Sequence, residues 1–119
     1  MVTDHFDEGR FAALLDMAGH DVAVELAQLL DEDLSRVDVA LGPAVGNPFV
    51  LHTQSHILLS IAGTIGANQV YDLARRMTEQ VRGGDGPGEL AHTLAEMRLA
   101  LQAVILRVRS TRLDLERSS

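Results

Sequence analysis

The residues able to do chemistry lie in one stretch, His52-Thr53-Gln54-Ser55-His56-Ile57-Leu58-Leu59-Ser60-Ile61-Ala62-Gly63-Thr64-Ile65-Gly66-Ala67. On a helix, positions 52, 56, 59, 60 and 63 share one face, while 51, 55, 58 and 62 share roughly the opposite one. Two histidines therefore stand on the stripe that does not bury Leu58. Ser60 and Gly63 beside them are small and would let another protein approach closely. An exposed, mostly neutral imidazole can serve as a nucleophile, a base or a metal ligand. As an i, i+4 pair His52 and His56 could chelate zinc, but neither an HExxH pattern nor an obvious third ligand accompanies them, and no metal is expected. His5, His20 and His92 fall at helix edges or termini and read as surface residues. The chain shows no Gly-rich phosphate loop, catalytic triad or nucleotide-binding motif, so kinase activity of its own is not expected.

The elements that must position these residues are helices. Phe11, Leu14 and Leu15 mark a short first helix from Asp7 to about Met17, with Asp7 as its cap and Gly19 at its end. From Asp21 to Leu41 the residues Ala23, Leu26, Leu30, Leu34, Val37 and Leu41 recur every three or four positions, while Glu25, Asp31, Glu32, Arg36 and Asp38 occupy the other faces. Asn47-Pro48 opens a third helix as N-cap and first helical residue, and the Gly63 to Gly66 region closes it. Val70, Leu73, Ala74, Met77 and Val81 give the inner face of a fourth helix from about Ala67 to Val81. Four glycines and a proline between Gly83 and Gly88 then force a turn. Beyond it Leu90, Leu94, Met97, Leu101, Val104 and Val108 step by four and three in a helix expected to fade near Arg112. No segment alternates as a strand would. The pattern predicts an all-α fold, an antiparallel up-down-up-down four-helix bundle with a short N-terminal lid helix, forming one domain over 1–119 with its bundle core at about 21–112.

Composition narrows the function. The 119 residues carry seventeen acids against ten arginines, no lysine and no cysteine. A net charge of −7 argues against nucleic acid as a partner, because a phosphate backbone rewards a basic surface. No apolar run approaches a membrane span, and the acidic N-terminus does not read as a signal sequence, so a cytoplasmic protein, monomeric by default, is expected. Residues 1 to 40 hold ten acids and only Arg10 and Arg36; eight arginines follow, which places any anion site in the later part of the chain.

Around His56 the sequence resembles the histidine-containing phosphotransfer (HPt) domain family. The family motif reads roughly His-x-Leu-Lys-Gly-Ser-(Ser/Ala)-x-x-(Leu/Ile)-Gly-Ala on the third helix of such a bundle, and His56, Leu58, Ala62, Ile65, Gly66 and Ala67 stand in register with it. Glu79 is matched to the family's fourth-helix Glu, and the order of helices and turns follows the family along the whole chain. Two departures matter: the family's Lys is Leu59 and its Gly is Ser60. The lost Lys is a cation that would attract phosphoryl oxygens. In some members an Arg at the end of the fourth helix lies near the phosphoryl group, and Arg82 stands there, ahead of Arg75 and Arg76 as the substitute; a cation ending a helix equally suits the dipole.

The resemblance implies a phosphorelay protein of a two-component system. His56 would take a phosphoryl group from a receiver-domain aspartyl-phosphate and pass it to another receiver aspartate. Its partners would be the receiver domains of a hybrid histidine kinase and of a response regulator, and the receiver would supply the Mg2+. His52, Leu59, Ser60, Gly63 and Arg82 would form the phosphate neighbourhood and docking surface, with Gly66 and Ala67 structural; read without the resemblance, Gly66 simply lets the third and fourth helices pack closely. Two other readings remain open: an HPt-like module that docks on a receiver or kinase without efficient transfer, which Leu59 favours, and a structural bundle that self-associates through the Leu59 face.

Overall fold

A computed structural model describes residues 6–118 of the chain. Among these residues five helices follow one another: α1 (Glu8–Ala18), α2 (His20–Leu41), α3 (Pro48–Ile65), α4 (Asn68–Arg82) and α5 (Pro87–Arg117). The all-helical expectation holds, and the described residues contain no strand.

Capping chemistry opens three of the five helices. The Asp7 carboxylate accepts the Arg10 N–H at 3.0 Å and opens α1. Asn47 accepts the Val50 N–H at 3.2 Å, with Pro48 at the first helical position of α3. Glu89 accepts the Gly86 N–H at 3.1 Å at the start of α5.

Every position expected to face the core in the long α5 seam, from Leu90 to Val108, is buried. Leu51, Leu58, Ala62 and Ile65 of α3 join Leu34 and Leu41 of α2 and Val70, Ala74 and Met77 of α4 in one apolar cluster. α2 packs on α5 and α3, α4 packs on α3 and α5, and α1 lies against α2 and one end of α3. Asp31 pairs with Arg109 whereas Asp38, seven residues further along α2, pairs with Arg98, so α2 and α5 run in opposite directions.

Three expectations need correction. α5 does not fade near Arg112 but continues to Arg117, because Leu115 packs on the core and Arg112 is tied to Asp31 and Glu116. Asp31, placed by pattern on a polar face, is buried, its carboxylate taking two hydrogen bonds from Arg109 at 3.1 and 2.9 Å. Gly66 does not act by bringing α3 and α4 together. It ends α3 in the left-handed conformation at φ 80°, and a Cβ there would lie 2.8 Å from the Cβ of Asp7, so the close approach is that of α1.

Candidate functional site

α3 presents adjacent residues to opposite environments. Ser55 is fully buried and its hydroxyl donates to the Met97 sulfur at 3.7 Å, whereas the next residue, His56, is exposed. The 100° turn per residue accounts for this: the stripe of Leu51, Ser55, Leu58 and Ala62 takes the core, which turns His56 away from it. The His56 ring lies parallel to that of His52, with centroids 6.4 Å apart and an interplanar angle of 4°. Among the described residues its nitrogens accept and donate no hydrogen bond and form no ion pair, so the imidazole is open to a visiting group.

The predicted neighbours divide. Ser60 is exposed beside His56, while His52 is half-buried. Leu59 is also half-buried and packs on the core, which reduces the apolar surface it offers to a partner. Gly63 is not an open gap: a Cβ there would meet the Tyr71 ring at 3.5 Å, so Tyr71 of α4 occupies much of the space that the small residue leaves. Gly66 and Ala67 are buried in the link to α4, where the Gly66 carbonyl accepts the N–H of Asp7 at 2.7 Å and that of Asn68 at 3.0 Å. Arg82 is exposed at the end of α4. His20 and His92 are exposed, the latter 3.3 Å from Glu96, and His5 lies outside the described residues.

The wall that α4 lends to this groove escapes a reading confined to the motif. Tyr71, Arg75, Thr78 and Arg82 recur in steps of four, three and four and form one stripe of α4. Tyr71 touches the Gly63 position and only Gly66 and Ala67 join the two helices, so the chain folds back on itself and α4 packs on α3 with Tyr71 beside Gly63. Glu79 falls to one side of the stripe, one residue from Thr78, and is exposed. The Thr78 hydroxyl donates to the Arg75 carbonyl at 2.8 Å and is not a free donor toward the groove. Thr53 and Thr64 likewise spend their hydroxyl protons on the carbonyls of Phe49 and Ser60. Phe49, two turns before His56 on the same side of α3, is 78% exposed. An outward-facing aromatic in a chain with three phenylalanines was the signal available for it.

On the other flank of α3, Ile57 and Ile61 line a shallow apolar groove with Val37 and Ala40 of α2. No group of three or more His, Asp or Glu side chains converges as a metal site among the described residues, and none of their helices is long and apolar enough to cross a membrane. Comparison with protein-family models, with curated proteins and with solved structures gives no match. The arrangement stands on its geometry: an all-helical protein with an unencumbered imidazole midway along a helix, the small Ser60 exposed beside it and arginines on the neighbouring helix.

Proposed function

We propose that this chain is a cytoplasmic histidine phosphotransfer protein of the HPt type, in which α2 to α5 form an up-down-up-down bundle, α1 is its lid, and His56 carries the phosphoryl group. The observation that carries the reading is the exposure of His56 in mid-helix with no partner of its own among the described residues. A nucleophile that must meet an aspartyl-phosphate held by another protein needs this openness more than it needs a built pocket.

In the forward step a ring nitrogen of neutral His56 attacks the phosphorus of the receiver's acyl phosphate. The N–P bond forms as the P–O bond breaks, the electron pair leaves on the receiver's carboxylate, and the proton on the other ring nitrogen passes to solvent as the phosphorylated ring becomes neutral. The second receiver reverses these events with its own aspartate. Charge neutralisation comes from the receiver's Mg2+ and from Arg82 on this chain. Phe49, Ile57 and Ser60 supply the surface that the receiver covers, and one copy of the chain suffices.

Incubation of the full chain with a phosphorylated receiver domain tests the proposal. Label should move onto the chain as an acid-labile phosphohistidine and disappear in His56→Gln; label persisting in that variant removes the assignment. The reading of a docking module without transfer rests on Leu59, an uncharged residue where the motif has Lys. Receiver binding with no acid-labile label would favour it.

A further inference from the structure

Seven of the ten arginines are engaged by carboxylates: Arg36, Arg76, Arg98, Arg107, Arg109, Arg112 and Arg117. Among the described residues Arg10, Arg75 and Arg82 form no ion pair. Arg10 lies at the α1 end, with its Cβ and Cδ each 3.2 Å from where a Gly66 side chain would begin. The other two stand seven residues apart on one side of α4, both exposed. Asp72 and Glu79, three residues before and four after Arg75, are spaced to pair with it on a helix, yet neither comes within ion-pair distance. Arg75 and Arg82 are thus exposed cations on one stripe with no ion-pair partner among the described residues, and either can take an anion from outside without giving up a carboxylate.

The contact between Gly63 and Tyr71 gives the register of α3 against α4. Counting back along α3 and forward along α4 from this contact sets Leu59 level with Arg75, His56 with Thr78, and His52 with Arg82. Arg75 and Arg82 then lie about 4.5 and about 6 Å along the axis to either side of His56, at ~1.5 Å per residue. Thr78, between them, has its hydroxyl proton committed to the Arg75 carbonyl, so the cationic donors on this stripe are the two guanidinium groups. We infer that Arg75 is a second phosphoryl-binding residue of the site: it reaches across the groove over Leu59 and, with Arg82, brackets the phosphoryl group on His56. The charge missing from position 59 of α3 is thus supplied from α4. A planar guanidinium can donate two hydrogen bonds to phosphoryl oxygens, and one not already held by a carboxylate gives up no partner to do so.

The inference rests on the phosphotransfer reading but can be tested without a receiver. The full chain is charged at His56 with phosphoramidate, a small phosphoryl donor, and the 31P resonance is followed against pH. A nearby cation favours the dianionic phosphoryl group, so its second ionisation should move up by about half a pH unit in Arg75→Ala, less in Arg75→Lys, and not in Arg10→Ala. Transfer from a phosphorylated receiver should fall about tenfold in Arg75→Ala and partly return in Arg75→Lys, with unchanged thermal midpoints. An identical 31P titration in wild type and Arg75→Ala overturns the inference and leaves the phosphotransfer reading standing. No receiver-dependent label on wild type, with the 31P shift present, overturns the phosphotransfer reading alone, and failure of phosphoramidate to charge His56 overturns the inference.

Discussion

Two glycines of α3 illustrate how one residue type serves opposite ends. Gly66 holds φ 80°, and its missing side chain makes room for the Cβ of Asp7 at 2.8 Å and for Arg10 at 3.2 Å. Alanine there would be strained in its backbone and would push away the first turn of α1, at a cost of about 2 kcal/mol or more. Urea denaturation of Gly66→Ala should show that loss, and amide exchange should place the added opening in α1. Gly63, by contrast, sits in regular helix with the Tyr71 ring 3.5 Å from the Cβ position, an ordinary contact. Gly63→Ala should keep the fold or stabilise it by up to about 1 kcal/mol through helix propensity. If a receiver needs the low profile at this position, that same variant loses transfer without losing stability. A fall in stability larger than that of Gly66→Ala would reverse this assignment of the two glycines.

At the level of helices, hydrophobic periodicity was a sufficient guide wherever a helix buries one stripe. Val70, Leu73, Ala74 and Met77 of α4 and the α5 seam through Val108 all fall inside, because a period of 3.6 allows the pattern only one consistent face. His56 could be placed outside by the same logic. Periodicity on one helix does not reveal which partner it meets. The Tyr71, Arg75, Thr78 and Arg82 stripe therefore took on meaning only when Gly63 was seen against Tyr71, and Asp31 looked solvated until α5 brought Arg109 to it. The end of α5 is hidden from periodicity for a related reason: the final turns carry few apolar residues of their own and depend on one, Leu115, which lines a small groove with Leu15 and Ala23 beneath α1. Leu115→Ala should cost about 1 to 2 kcal/mol and raise amide exchange in α1 more than in α3 or α4. Uniform exchange across all helices would mean that α1 is not held by this contact.

For the molecule as a whole, the two sides of the helical assembly do different work, and pH separates them. Along the α2 and α5 side, Arg109 and Arg112 converge on Asp31, Ser35 donates to it at 3.2 Å, and Arg98 binds Asp38 at 3.0 Å; the His56 groove lies on α3 and α4. Hydrogen bonding from the Arg109 guanidinium, opposed by burial and aided by the nearby positive charges, holds the Asp31 carboxyl below its ordinary value of about 3.8. The sign follows from linkage: a carboxyl whose pKa is lower in the folded chain contributes stability that is complete above about pH 3.8 and is lost as pH falls through the folded value. Arg109 is itself partly exposed, which screens the pair and limits its worth. Asp31→Asn should therefore cost about 1 to 2 kcal/mol at pH 7 by urea denaturation, with the difference from wild type shrinking as the pH drops below about 3.8. A difference that stays constant down to pH 2 would mean that the shape of the residue, and not its charge, stabilises the contact. At neutral pH the same variant should accept phosphoryl label on His56 at the wild-type rate, because the network it weakens shares no residue with the groove; a parallel loss of transfer would show that the α2 and α5 ion pairs also set the geometry of α3.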